Sequence, residues 1–191
     1  MTASPVDEFY YLFKERAEAL SASVFRTRNA TEVPAIVAGI LEGIGARKVV
    51  GVHSPLASAA ELEKALSDSG TKTSFDDILD DVAEADAGIS EFDLAIADTG
   101  TLCQDAEALE KRLVSTLPPV HIALVRTAGL VRGLAEAFDA LEATYGGAPP
   151  GFLAFVSGPS RTADIERVLT IGVHGPGQLF VIFVDEGGRS E

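Results

Sequence analysis

Apolar residues near the start of the chain recur at Val6, Phe9, Tyr10, Phe13, Ala17 and Leu20, the spacing of one helical face. Asp7 and Glu8 suit the first turn of that helix and Arg16 suits its end, where each complements the helix dipole. Phe25 to Asn29 lacks such a period and is expected to be a linker. A second stripe, Val33, Ile36, Val37, Ile40, Leu41 and Ile44, predicts another helix, ended by Gly43 and Gly45.

Beyond Arg47 the pattern changes to short apolar runs that alternate with helical stretches. Lys48 to His53, Thr71 to Phe75, Phe92 to Ala97, Val120 to Val125, Gly151 to Val156 and Leu179 to Val184 are expected strands. Helices are expected over Ser58 to Ser67 and along Leu130, Leu134, Ala137, Phe138 and Leu141. A further helix start is expected just after Gly158-Pro159, leading into the apolar run Ile165 to Ile171. Asp76 to Asp86 fits an acidic loop with a helical turn. Asp105 to Leu113 fits a helix, and Thr101 to Cys103 fits a continuing strand equally well. Gly146 to Pro150 is an expected loop, Gly172 to Gly177 a tight turn and Glu186 to Glu191 a loose tail. Strands that alternate with helices and form unbroken apolar runs imply an α/β fold, a mostly parallel sheet flanked by helices. The expected organisation is an N-terminal helix and linker over residues 1–30 and a single α/β domain over 31–191.

A length of 191 residues fits one domain, and 47% apolar with 23% charged residues is ordinary for a globular protein. The start of the chain has neither a basic segment nor an apolar signal core, and no apolar run reaches the ~20 residues of a membrane span. A cytoplasmic location is the expectation. The net charge of −14, from 15 basic and 29 acidic residues, repels a phosphate backbone and argues against nucleic acid as a partner. Cys103 is the only cysteine, so the chain can form neither an internal disulfide nor an iron–sulfur cluster, which takes about four thiolates. His53, His121 and His174 are far apart in sequence, and none belongs to a paired metal motif. No metal or cofactor is expected in this chain.

Ligands of open parallel sheets bind beyond the C-terminal ends of the strands. Three loops are candidates there. In Asp98-Thr99-Gly100-Thr101 the glycine lets backbone approach a ligand and the threonines offer hydroxyls. In Ser157-Gly158-Pro159-Ser160-Arg161-Thr162, free backbone N–H groups of a helix start would attract an anion, and Arg161 offers a fork that matches carboxylate or phosphate. His53-Ser54-Pro55 is the third. Arg112 and His121 flank Pro118-Pro119, and His121 falls at the start of its strand, the wrong rim for a simple parallel sheet. Either a neighbouring connection is antiparallel or His121 is structural. His174, between glycines, is placed either to act near a ligand or to fill a turn. Cys103 has no nearby cation and is expected to be an apolar filler. Neither G-x-x-x-x-G-K-[ST], G-x-G-x-x-G nor G-x-S-x-G occurs.

Several segments together resemble the lactate-utilization protein C family, the LUD-domain proteins. They are Gly88-Ile89-Ser90; Asp93-Leu94-Ala95-Ile96-Ala97-Asp98-Thr99-Gly100-Thr101-Leu102; Arg112-Leu113-Val114-Ser115; and Leu117-Pro118-Pro119-Val120-His121-Ile122. Ser157 to Glu166 and Gly172 to Pro176 complete the set, in the family's order. The resemblance implies a fold grouped with ribose-5-phosphate isomerase, glucosamine-phosphate deaminase and the CoA transferases. It also implies a part in oxidising L-lactate to pyruvate beside partner proteins that carry the iron–sulfur clusters. Two departures bear on the substrate: Asp98 stands where the family usually has glutamate, and Gln104 to Lys111 replaces its Gly-rich hairpin.

Two expectations follow. In the first, the chain is an accessory subunit that holds a small carboxylate or phosphate with Thr99, Gly100, Thr101, Arg112, His121, Ser157, Ser160, Arg161 and Thr162, while Asp164 and Glu166 orient Arg161 or cap a helix. In the second it is a stand-alone enzyme on a sugar phosphate or acyl-CoA, with Asp98 or Asp164 as general base and His174 as polar partner.

Overall fold

In the computed structural model, which describes residues 4–162, 170–171 and 174–185, the apolar runs Val120–Arg126 and Gln178–Val184 lie side by side at the centre of a six-stranded parallel sheet. The chain begins with α1 (Pro5–Ala19), capped by the Ser4 hydroxyl on the Asp7 N–H, and β1 (Ser23–Thr27). Next come α2 (Val33–Ile44), stopped by Gly45 at φ 69°, β2 (Lys48–Gly51), α3 (Pro55–Ala59), α4 (Leu62–Asp68), β3 (Lys72–Ser74) and the short α5 (Ile78–Asp81). The middle holds β4 (Ala87–Phe92), β5 (Leu94–Ile96), β6 (Thr101–Asp105), α6 (Leu109–Thr116), β7 (Val120–Arg126) and β8 (Leu130–Val131). The last described elements are α7 (Leu134–Tyr145), β9 (Leu153–Val156), β10 (Arg161–Thr162), β11 (Thr170–Ile171) and β12 (Gln178–Val184).

The main sheet has the order β1-β12-β7-β4-β2-β3, and every pairing in it is parallel. Side chains of its central strands alternate between two cores, as the two-residue strand period requires. Val120, Ile122 and Leu124 of β7 join Ile182 and Val184 of β12 against α2, α3 and α4. Ala123 and Val125 join Val181 and Phe183 against α1 and a second, four-stranded sheet of order β8-β5-β6-β9. Phe13 of α1 is fully buried edge-on to Phe183, with ring centroids 5.0 Å apart.

Five sequence expectations change, one of them at Leu130, which the helical stripe includes but which lies in β8, α7 starting only at Leu134. Phe25 to Asn29 is no linker: Ser23–Thr27 is an edge strand paired along its length with β12, its alternation hidden because one edge strand buries only two of five side chains. The strand expected over Phe92 to Ala97 is the end of β4, in the main sheet, and β5, in the second sheet, broken at Asp93. The helix expected over Ser58 to Ser67 breaks at Glu61, whose φ of 45° is left-handed. Arg161 and Thr162 are extended and pair antiparallel with Ile171 and Thr170, in place of a helix start. The intervening apolar run from Ile165 lies outside the described residues, as do Asp164, Glu166, Gly172, Val173 and the tail 186–191. Of the alternatives left open, Thr101–Asp105 is a strand and the helix that follows runs from Leu109 to Thr116.

Candidate functional site

The connections leaving β2 and β4 part company. From β2 the chain runs outward through α3 and α4 to β3, whereas from β4 it runs through β5, β6 and α6 to β7 on the opposite side. Such a divergence leaves a crevice between the C-terminal ends of two neighbouring parallel strands, where ligands of open sheets collect. Here the crevice encloses about 180 Å³. Val52, His53, Ser54 and Pro55 line it beyond β2; Ser90 and Glu91 line it from β4 and Asp93 from just beyond that strand, and Lys111 reaches it from α6.

Most of the polar groups in this crevice already have structural duties. Ser54 caps α3 through the Ala57 N–H, and Glu91 accepts the Leu56 N–H at 2.8 Å and faces Arg126 at 3.4 Å. Asp93 accepts the Asp105 N–H at 2.6 Å, and His53 faces Asp76 at 3.0 Å. Lys111 has no ion-pair partner among the described residues. It is thus the cation available to a ligand, while the neighbouring carboxylates are held by donors of their own.

His121 is fully buried behind this crevice. Its Nε2 lies 2.9 Å from Ser90 Oγ, and its ring packs at 48° to that of Phe92. Both neighbours of β7 are parallel, so His121 does sit toward the rim away from the strand ends; it meets the crevice only through Ser90. Burial pushes its pKa down from 6.5 to about 4, so the ring is neutral at neutral pH.

The other sequence-selected residues do not line this crevice. Asp98 and Thr99 are exposed on a short 3-10 turn, and the Asp98 N–H donates to the Arg132 carbonyl. Gly100 has φ 63°, and a Cβ there would fall 2.5 Å from the Ala17 nitrogen, so the backbone that approaches this glycine is that of α1. Thr101 Oγ1 and Ser157 Oγ are 2.7 Å apart. The Ser160 N–H donates to the Pro176 carbonyl, joining that loop to the one carrying exposed His174. Arg161 donates to the Leu20 carbonyl and the Ser21 hydroxyl at the end of α1. Arg112 donates to the carbonyls of Ala106 and Glu107 and lies over the Phe152 ring, bracing the turn before α6. Cys103 is buried, and burial together with the charge of Asp93 lifts its thiol pKa to about 11. Among the described residues no group of three or more His, Cys, Asp or Glu could hold a metal ion, and no helix is long and apolar enough to cross a membrane.

The His53 loop is among the candidates the sequence offers, whereas Ser90, Glu91 and Lys111 carry no local mark of a site there. The nearest to one is Ser90-Glu91, two polar residues near the end of the otherwise apolar run Ala87 to Phe92.

The LUD domain family model matches residues 10–184, nearly the whole described chain. This chain belongs to the LUD-domain family. It is 39% identical over 104 residues to Lactate utilization protein C 1 of Bacillus mycoides, an alignment that covers 53% of this chain and 44% of that protein. It is 27% identical over 186 residues to Lactate utilization protein C of Halalkalibacterium halodurans, covering 94% of this chain and 80% of the other. The alignments to the first of these relatives thus span less than half of their length. A crystal structure of a DUF162 family protein from Deinococcus radiodurans superposes with a TM-score of 0.69 at 26% identity, covering 95% of this chain and 99% of that one. The family is consistent with a role in lactate metabolism, and the same mixed α/β architecture is present in both structures.

Proposed function

We propose that this LUD-domain protein binds a small carboxylate as a component of an L-lactate utilization system, in which iron–sulfur partner proteins carry the electrons of lactate oxidation to pyruvate. The observation that carries this reading is Lys111, a cation without an ion-pair partner among the described residues, lining a small crevice at a strand divergence. A pocket of about 180 Å³ lies below the 300–1,000 Å³ typical of drug-sized ligands, which favours a small acid over a nucleotide-bearing one. Support also comes from the relatives named for lactate utilization. The lone buried cysteine agrees with redox centres on other chains.

The second reading places this domain with the ribose-5-phosphate isomerase and CoA transferase folds and makes it an enzyme on a sugar phosphate or acyl-CoA. In it Asp98 or Asp164 would be the general base and His174 a polar partner. It rests on fold analogy, a weaker warrant for function. A thermal-shift panel of lactate, pyruvate, ribose 5-phosphate and CoA separates the two, because a ligand that binds the folded state raises the melting temperature. A rise with lactate or pyruvate that Lys111→Met removes supports the first reading. A rise with the phosphorylated ligands alone supports the second.

A further inference from the structure

Ser90 is 1% exposed, yet it lines the crevice, and its hydroxyl is held from behind by the buried His121 ring. The two residues come from neighbouring strands: Gly88 pairs with His121 and Ser90 with Ala123, so the imidazole spans one two-residue step on the same face of the sheet. Lys111 lines the same crevice from α6. A cation and a hydroxyl lining one small crevice match a carboxylic acid that carries oxygen on the adjacent carbon.

The geometry points to Ser90, positioned by His121, as the residue that reads the 2-oxygen of a 2-hydroxy or 2-oxo acid whose carboxylate is held by Lys111. This inference rests on the carboxylate reading of the crevice. A serine hydroxyl has one hydrogen to donate and two lone pairs to accept with, and a neutral imidazole has one donor and one acceptor nitrogen. If Nε2 carries the hydrogen, it donates to Ser90, and Ser90 donates to a 2-oxo group. If Nε2 is the acceptor, Ser90 donates to it and accepts from a 2-hydroxyl. One pair therefore serves both oxidation states of the same carbon skeleton without moving a charge. Burial keeps His121 uncharged at neutral pH, so this switch of tautomer is open to it.

A plain carboxylic acid of the same length offers the nearly buried Ser90 hydroxyl no ligand oxygen and leaves it bonded to His121 alone. Sites built to hydrogen-bond a substrate oxygen reject the analogue that lacks it for this reason. The test is titration calorimetry of lactate, pyruvate and propionate against the wild-type chain, Ser90→Ala, His121→Leu, His121→Gln and Lys111→Met. The expected result is a preference of about tenfold or more for lactate and pyruvate over propionate in the wild type. Ser90→Ala and His121→Leu bring that ratio near one without weakening propionate. His121→Gln, which keeps a donor and an acceptor, retains part of the preference, and Lys111→Met weakens all three acids alike. Where a variant fails to fold, the ring nitrogen signals of His121 in the wild type decide instead. They shift with lactate and stay still with propionate if the inference holds. A wild-type protein that binds the three acids equally overturns this inference alone. One that binds none of them overturns the carboxylate reading as well.

Discussion

The Arg161 guanidinium donates to the Leu20 carbonyl oxygen at 2.7 Å, closing the C-terminal end of α1. Gly158, at φ 88°, presses on the same carbonyl, and a Cβ there would come within 2.9 Å of it. The loop that the sequence marked as an anion cradle is thus also the clasp of the N-terminal helix. Arg161→Ala is expected to lower stability by about 1 kcal/mol, since a helix end loses a charged donor at an exposed position. The carboxylate affinity of the crevice should stay unchanged. Parallel thermal melts and lactate titrations of the variant check both halves.

Gly88 is where α6 rests on the sheet. A Cβ there would sit 2.2 Å from the Val114 carbonyl oxygen, a backbone atom that cannot swing aside. Gly88→Ala should therefore push α6 outward at a cost of about 1–3 kcal/mol. Because Lys111 lies on that helix, lactate binding should weaken with it. Urea denaturation gives the first quantity and calorimetry the second. A stable variant with unchanged binding would show that α6 is free to settle elsewhere.

His121 sets an acid limit. Its folded pKa of about 4 lies below the ordinary 6.5, so across that interval the unfolded chain takes up a proton that the native chain refuses. Stability is complete above pH 6.5 and declines as pH falls toward 4, by up to about 3 kcal/mol from this group. Asp86, held low by the N–H groups of Arg47 and Lys48, and Asp81, held low by Lys48, lose their contributions only as pH falls below their ordinary 3.8. Melts from pH 7 to pH 4.5 should show the His121 decline, and His121→Gln should flatten it.

Cys103 should resist modification. Its thiol is buried and its pKa is lifted to about 11, so little thiolate exists at pH 8. A thiol reagent such as dithionitrobenzoate should react slowly with the native protein and fast once urea unfolds it. Fast native labelling would mean that the two sheets open readily around β6.

Much of this fold was legible because buried parallel strands carry their signal in unbroken apolar runs. Val120–Arg126 and Gln178–Val184 are of that kind, and so is the helical stripe that became α2. Edge and switch elements were harder to see. Ser23–Thr27 buries one edge strand against a single neighbour, and the turn at Asp93 redirects the chain between sheets without a glycine or proline to announce it. The site was harder still, because a crevice at a strand divergence is made by topology. His53, Ser90 and Lys111 are far apart in sequence, and nothing local in the chain says that the ends of β2 and β4 are neighbours. The family motifs lay along the chain in order, but Gly88, Gly100, Arg112 and Arg161 within them brace helices and turns in this structure.

The most direct test of the account is an NMR titration of the labelled protein with pyruvate, following backbone amide shifts residue by residue. The account predicts shifts concentrated at Val52 to Ser54, Ser90 to Asp93 and around Lys111, and their loss in Lys111→Met. Shifts centred instead on Thr99, Thr101, Ser157 and Ser160, or no shift at millimolar pyruvate, would contradict it.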